Sequence, residues 1–224
     1  MVPMPLGFSP GECNHWDPTV PPCRHMWGII DEAKRAPLAA KPLKMSCRGR
    51  LRQDQPQFAL REKVHRMCDR GGAWNHLVAA PNGKEYGPRT YARLQGMSAF
   101  VLCVSGGGID PAPKAFEALA AGSIPIIQHS SLDSAYAQLP VAFVDDWSPE
   151  AITEPKLRTW RDKLAPRFDN ASSEGWARLE WQLTGDYWWD RLTRGTSVAS
   201  RPHERTRKER VLLHKAGSVG ALIA

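Results

Sequence analysis

Three glycines, an aspartate, a lysine and a glutamate share one short stretch, SGGGIDPAPKAFEALAAGSIPII, residues 105–127. The apolar run SAFVLCV precedes it and reads as a strand covered on both faces. Gly106, Gly107 and Gly108 permit backbone angles closed to other residues, and the free N–H groups of the loop and of the helix behind it can face an anion. Lys114 lies in the first turn of that helix, within reach of the same anion, and Asp110 is placed to cap the turn. Glu117 follows three residues later on nearly the same face, where a carboxylate can accept two hydrogen bonds from a vicinal diol such as ribose. Backbone donors, a cation and a diol acceptor together describe a site for a nucleoside diphosphate. The spacing is neither Gly-x-Gly-x-x-Gly nor a P-loop. On spacing alone, a flexible turn beside a solvated Lys114–Glu117 pair fits as well.

The elements that must position these residues follow from periodicity. LKMSC (43–47) reads as a first strand, leading into the basic turn CRGRLR with Arg48 and Arg50. PQFALREKVHRMCDR is an amphipathic helix with Phe58, Leu60, Val64 and Met67/Cys68 near one face. AWNHLVA suggests a second strand, and GPRTYARLQGM a short helix with Tyr91 and Leu94 inward. APKAFEALAAG is a helix with Phe116, Leu119 and Ala120 inward, stopped by Gly122. SIPIIQ and PVAFVDD are strands, with the short helix SSLDSAYAQL between them. Ser148 before Pro149 starts the next helix as an N-cap, and Thr153 repeats the signal. SEGWARLEWQLTGDYWWDRLTR is a last amphipathic stretch with a break near Gly185, its aromatics placed for packing. Strand–helix alternation over about five repeats predicts an α/β fold, a parallel sheet with helices on both faces. In such sheets ligands bind outside the carboxyl ends of the strands. The loops after Cys47, Val104, Ile127 and Val144 therefore matter most. His129 follows one of these ends; His65 and His76 have no visible partner set.

The same residues carry a resemblance. FVLCVSGGGIDPAPKAFEALAAGSIPIIQHSSLDSAYAQLPVAFVDDW resembles the signature stretch of exostosin-type (family 47-like) glycosyltransferases. The shared pattern is an apolar strand, a glycine-containing loop, a basic residue, Glu-Ala, a small-residue helix end and Gly-x-x-Pro followed by two β-branched residues. Here these are Lys114, Glu117–Ala118, Gly122 and Pro125–Ile126–Ile127; LPVAFVDDW and LTGDYWWDRL are similar to the family's later strand and closing helix. The likeness spans about Met45 to Leu192. It implies a Rossmann-like domain, the C-terminal, donor-binding half of a GT-B fold. Ser105, Gly106, Gly107, Gly108 and Lys114 would face the diphosphate, Glu117 would hold the ribose, and Arg48 and Arg50 would add charge against the leaving group. The implied reaction moves a sugar from a nucleoside diphosphate sugar, a UDP-sugar foremost, to a hydroxyl on a glycan or protein. Fixed cations and N–H groups would stabilise the leaving group without a metal. The alternative is an inactive nucleotide- or glycan-binding module derived from such an enzyme. The family's usual Arg is Lys114 here, which lacks the bidentate fork. Asp110, Asp145 and Asp146 are nearby carboxylates, and none is assigned as base; rather than a metal-binding pair, Asp145 reads as the end of a strand and Asp146 as a cap for the next helix.

The 224 residues carry a formal charge of +7, and RPHERTRKERVLLHK supplies six basic residues against two acidic ones. The rest is only slightly basic, and the tail has no Trp, Tyr or Phe to stack on bases, so no nucleic-acid partner is expected. The absent Gly-x-Gly-x-x-Gly argues against a dinucleotide oxidoreductase. Residues 1–42 read as an irregular Pro-rich arm, 43–196 as the nucleotide-sugar-binding domain and 197–224 as a basic, disordered tail. The sequence shows no signal peptide and no membrane segment; the resemblance implies the Golgi or secretory pathway. Five widely spaced cysteines (13, 23, 47, 68, 103) suggest no disulfide framework, and Cys103 reads as a buried thiol. Cys13/His15 and Cys23/His25 form two Cys-x-His pairs of unfamiliar spacing, read as loop residues rather than a zinc site. Asn170-Ala-Ser172 fits the N-glycosylation sequon.

Overall fold

In a computed structural model, residues 30–194 are described, except 31, 34–35, 48, 50, 52, 55–57, 80–87, 107, 112 and 172–173. Both Cys-x-His pairs, Arg48, Arg50, Gly107 and the basic tail lie outside the described residues.

The chain forms an α/β fold of Rossmann-like form. Strands β1 (Met45–Ser46), β2 (Phe100–Leu102), β3 (Ile124–Gln128) and β4 (Ala142–Val144) make one all-parallel sheet in that order. Helices surround it: α1 (Phe58–Cys68), α2 (Pro88–Gln95), α3 (Lys114–Ala120), α4 (Asp133–Tyr136), α5 (Glu154–Leu164), α6 (Trp176–Gln182) and α7 (Gly185–Arg194). The register runs Met45 opposite Phe100, Phe100 opposite Ile124 and Ile126 opposite Ala142. All three residues of β2 are buried, as a strand with neighbours and helices on every side requires.

Pro125 stands inside β3, where proline ordinarily breaks a ladder. The Ile124 N–H donates to Ala99 O at 2.8 Å, toward β2. Alternation along a parallel strand turns the Pro125 nitrogen toward β4, and there pairing starts only at Ile126. The missing N–H thus removes no ladder bond.

AWNHLVA is not a second strand. It makes a 3-10 turn, Asn75–Leu77, and touches the sheet at one parallel bridge, Val78 to Met45. Trp74 takes the place of a strand's inward side chain: it is 1% exposed, and its Nε1–H donates to Pro149 O at 3.1 Å. Ser148 and Thr153 make no side-chain caps, and the first of the two expected helices is only the turn Pro149–Ala151. Asp146 takes the capping part, accepting the Ser148 N–H at 2.9 Å. The last amphipathic stretch breaks at Leu183–Thr184 into α6 and α7; Trp176 and Trp188 enter the core while Trp189 faces outward. Ile30, Ala33 and Leu38 are also buried, so part of the Pro-rich arm is packed into the domain.

Cys47 and Cys68 are joined by a disulfide, against the expectation from spacing. The fold brings the end of β1 against the last turn of α1, with Cα atoms 6.4 Å apart. Nothing in a 21-residue separation announces that meeting. Cys103 is free and buried, as expected.

Candidate functional site

The chain order around β1 selects one crevice. Met45 pairs with Val78 on one side and Phe100 on the other, so the chain leaves β1 for one flank and then crosses to the opposite flank for β2. Crevices for ligands in parallel sheets open at the carboxyl ends of the strands where the order reverses in this way. Here that is the mouth between β1 and β2, lined by Cys47, Gly49, Arg61, His65, Val104 and Lys114.

Three of these residues are cations or potential cations. Lys114 is the first residue of α3, delivered by the glycine loop after β2. Arg61 and His65 stand one turn apart on α1, which the disulfide fastens to β1. The Arg61 Nε donates to Ser105 O at 2.9 Å and an Nη to Val104 O at 3.4 Å. The guanidinium thereby holds the start of the glycine loop. Burial pulls the Lys114 ammonium below its ordinary value, and Arg61 pushes the same way while Glu117 opposes. His65 is likewise lowered, first by burial and then by Lys114 and Arg61, with Asp69 opposing. Arg61 makes Lys114 harder to protonate and both act so on His65, so an arriving anion would favour the charged forms of Lys114 and His65.

At Gly49 and Gly106 the backbone runs close to the tips of two cationic side chains. A Cβ at Gly49 would stand 2.7 Å from Lys114 Nζ, and one at Gly106 would stand 2.6 Å from an Arg61 Nη. Neither Gly106 nor Gly108 has a positive φ; among the described glycines only Gly71 and Gly122 do. A Cβ at Gly108 meets nothing within 4 Å. The expectation of special angles through the glycine run is therefore corrected at Gly106 and Gly108. Asp110 Oδ1 accepts the Tyr136 hydroxyl at 2.6 Å, tying the loop to α4. Ser105 Oγ donates across the loop to Ile109 O at 3.3 Å.

Of the residues predicted for this site, Lys114 lines the crevice, Ser105 and Gly106 lie against Arg61 beside it, and Gly108 is exposed on the loop. Glu117 does not line it, though its charge still acts on Lys114. The carboxylate is 6% exposed and accepts the Gln95 Nε2–H at 3.0 Å, between α3 and α2. The sequence reading missed Arg61 and His65. The available signal was their i,i+4 spacing around Val64, two basic side chains bordering the apolar stripe of α1. The crevice itself is narrow, about 10 Å³, so a ligand would rest over its mouth. A larger cavity of about 200 Å³ lies along the face of β1 that carries Pro42, Lys44 and Ser46, closed by Leu94 and Met97. It holds none of the three clustered cations.

A second group stands at the ends of β3 and β4. His129 stacks on Phe143, with ring centroids 4.9 Å apart, and its Nδ1 lies 2.6 Å from Asp133 Oδ2. It does not line the cationic crevice. Among the described residues no group of three or more His, Cys, Asp or Glu is arranged to hold a metal ion. No model of a known protein family and no curated protein matches the chain.

Proposed function

We propose that this domain binds the diphosphate of a nucleoside diphosphate sugar and serves as the donor-binding part of a glycosyltransferase, which moves the sugar to a hydroxyl of a glycan or protein. The observation that carries the reading is the crowding of Lys114, Arg61 and His65 at the one crevice where the strand order reverses. In glycosyl transfer the leaving diphosphate gains negative charge, and fixed cations in a partly desolvated site stabilise that change. Arg61 and His65 join Lys114 in that part. The exostosin-like order of glycine loop, basic residue, Glu-Ala and Gly-x-x-Pro supports the sugar-nucleotide form of the ligand. For Glu117 to hold a ribose, the diol must reach the buried carboxylate that also accepts the Gln95 hydrogen bond.

Calorimetric titration with UDP, GDP, NAD and inorganic pyrophosphate tests this. The expected result is binding of UDP or GDP and of pyrophosphate, with NAD weaker. Glu117→Gln should weaken the nucleotide and leave pyrophosphate unchanged, which isolates the ribose contact. Absence of binding by both nucleotides and by pyrophosphate would overturn the reading. Turnover of a bound sugar nucleotide then separates a transferase from a binding module.

A further inference from the structure

The sequon Asn170-Ala-Ser172 plays no part in the crevice, and its setting gives it another use. Asn170 and Ala171 are exposed on a short loop that is closed at its base, where Trp176 N–H donates to Asp169 O at 3.0 Å. Asp169 Oδ1 accepts the Ala171 N–H at 2.9 Å, a tight turn that carries the exposed Asn170. Ser172 lies outside the described residues and enters only through its hydroxyl-bearing identity. The Cys47–Cys68 disulfide is a separate observation: such bonds form and persist chiefly in oxidising compartments, where sequons are also read.

We propose that Asn170 is a site of N-linked glycosylation. The step joins the Asn170 amide nitrogen to the anomeric carbon of an oligosaccharide carried on a lipid pyrophosphate, under the cell's own oligosaccharide transferase. The C–N bond forms, the sugar–pyrophosphate C–O bond breaks with its electron pair leaving on the pyrophosphate, and the amide gives up one proton.

The glycan would stand clear of the crevice. The turn Ala165–Phe168, just before the sequon, packs against Leu38–Ala40, which precedes β1. An Arg167 Nη and the Gln182 Nε2 both donate to Gln138 O, at 3.0 and 2.7 Å, just ahead of β4. Asn170 therefore sits at the amino edge of the sheet, and Lys114 and Arg61 sit at the carboxyl edge. Strands of two to five residues separate the two edges by about 7–17 Å.

The test is peptide mass spectrometry of the full chain purified from the cells that make it. The expected result is a glycan on the peptide containing Asn170, and release by N-glycosidase in heavy-oxygen water leaving a labelled aspartate at 170. Ser172→Ala, which keeps the asparagine, should abolish the modification. Recovery of unmodified Asn170 as the bulk species overturns the proposal, whatever the state of Cys47 and Cys68. Removing the glycan should change pyrophosphate affinity by less than about twofold; a larger change would overturn the placement at the opposite edge.

Discussion

Two lysines hold the two ends of α3, and their surroundings are opposite. Lys41 meets the carboxyl end of the helix. Its Nζ donates to Ala121 O and Gly122 O, both at 2.7 Å, and to Ser123 Oγ at 3.3 Å. These carbonyls are the groups a helix end leaves unpaired, and a cation there also suits the helix dipole. Gly122, at φ +69°, turns the chain so that the carbonyls converge on one amine. Lys114 opens the same helix at the other end, half-buried and crowded by Arg61 and His65. One lysine completes the fold. The other stands beside further basic groups at an open crevice, with the Glu117 charge acting against them.

The comparison can be broken at several points. The largest expected effect is on stability at the Lys41 end. Lys41→Met leaves two buried carbonyls without their donor, and urea denaturation should show a loss of about 2 kcal/mol. Burial pushes the Lys41 amine down to about 7 from 10.5. Between those values the unfolded chain binds the extra proton, so the Lys41 contribution is greatest at alkaline pH and falls as pH drops through about 7. The difference between parent and Lys41→Met should therefore widen from pH 7 toward pH 10.

Lys114→Met should separate binding from folding. Pyrophosphate and UDP affinity should both fall about tenfold or more, the loss expected for a charge-assisted contact. Stability should fall by less than in Lys41→Met, because the loss of contacts made by Lys114 is offset by removal of a cation beside Arg61. Equal destabilisation by Lys41→Met and Lys114→Met would erase the contrast.

Gly106→Ala should act more mildly. The added methyl meets the far end of Arg61, which can shift aside while its hold on Ser105 O weakens. Pyrophosphate affinity should fall about threefold, roughly half of a charge-assisted contact. The smallest effect belongs to His65. Its folded value lies below 6.5, so between 6.5 and that value the unfolded chain binds more protons. Stability of the free protein should decline as pH falls through that window. Pyrophosphate should reduce the decline, and calorimetry in buffers of different ionisation heat should show proton uptake on binding. A pH profile unchanged by His65→Gln would remove His65 from the cluster.

Much of the frame was legible in the sequence because it rests on local patterns. Unbroken apolar runs marked β2 and β3, the Phe116–Leu119–Ala120 spacing marked α3, and Gly122 marked its end. Trp74 was harder to place: its neighbourhood has strand-like composition, yet burial of one large ring on Pro149 wins over extension. The site was legible only along its own segment. Lys114 follows from the glycine loop, but Arg61 and His65 arrive from α1, and only the tertiary fold sets them against Val104 and Ser105. Glu117 illustrates the converse. Helical spacing put it near Lys114, and packing against Gln95 then turned its carboxylate inward.

The Cys47–Cys68 bond closes the intervening segment into a covalent ring. Under tension from the two chain ends, force passes through the sulfur bridge and leaves that ring slack. The contour length released on unfolding is then shorter by about 70 Å than in the reduced chain, from 21 residues at roughly 3.5 Å each. The helix bearing Arg61 and His65 thus lies inside a ring that a pull on the termini cannot draw out straight.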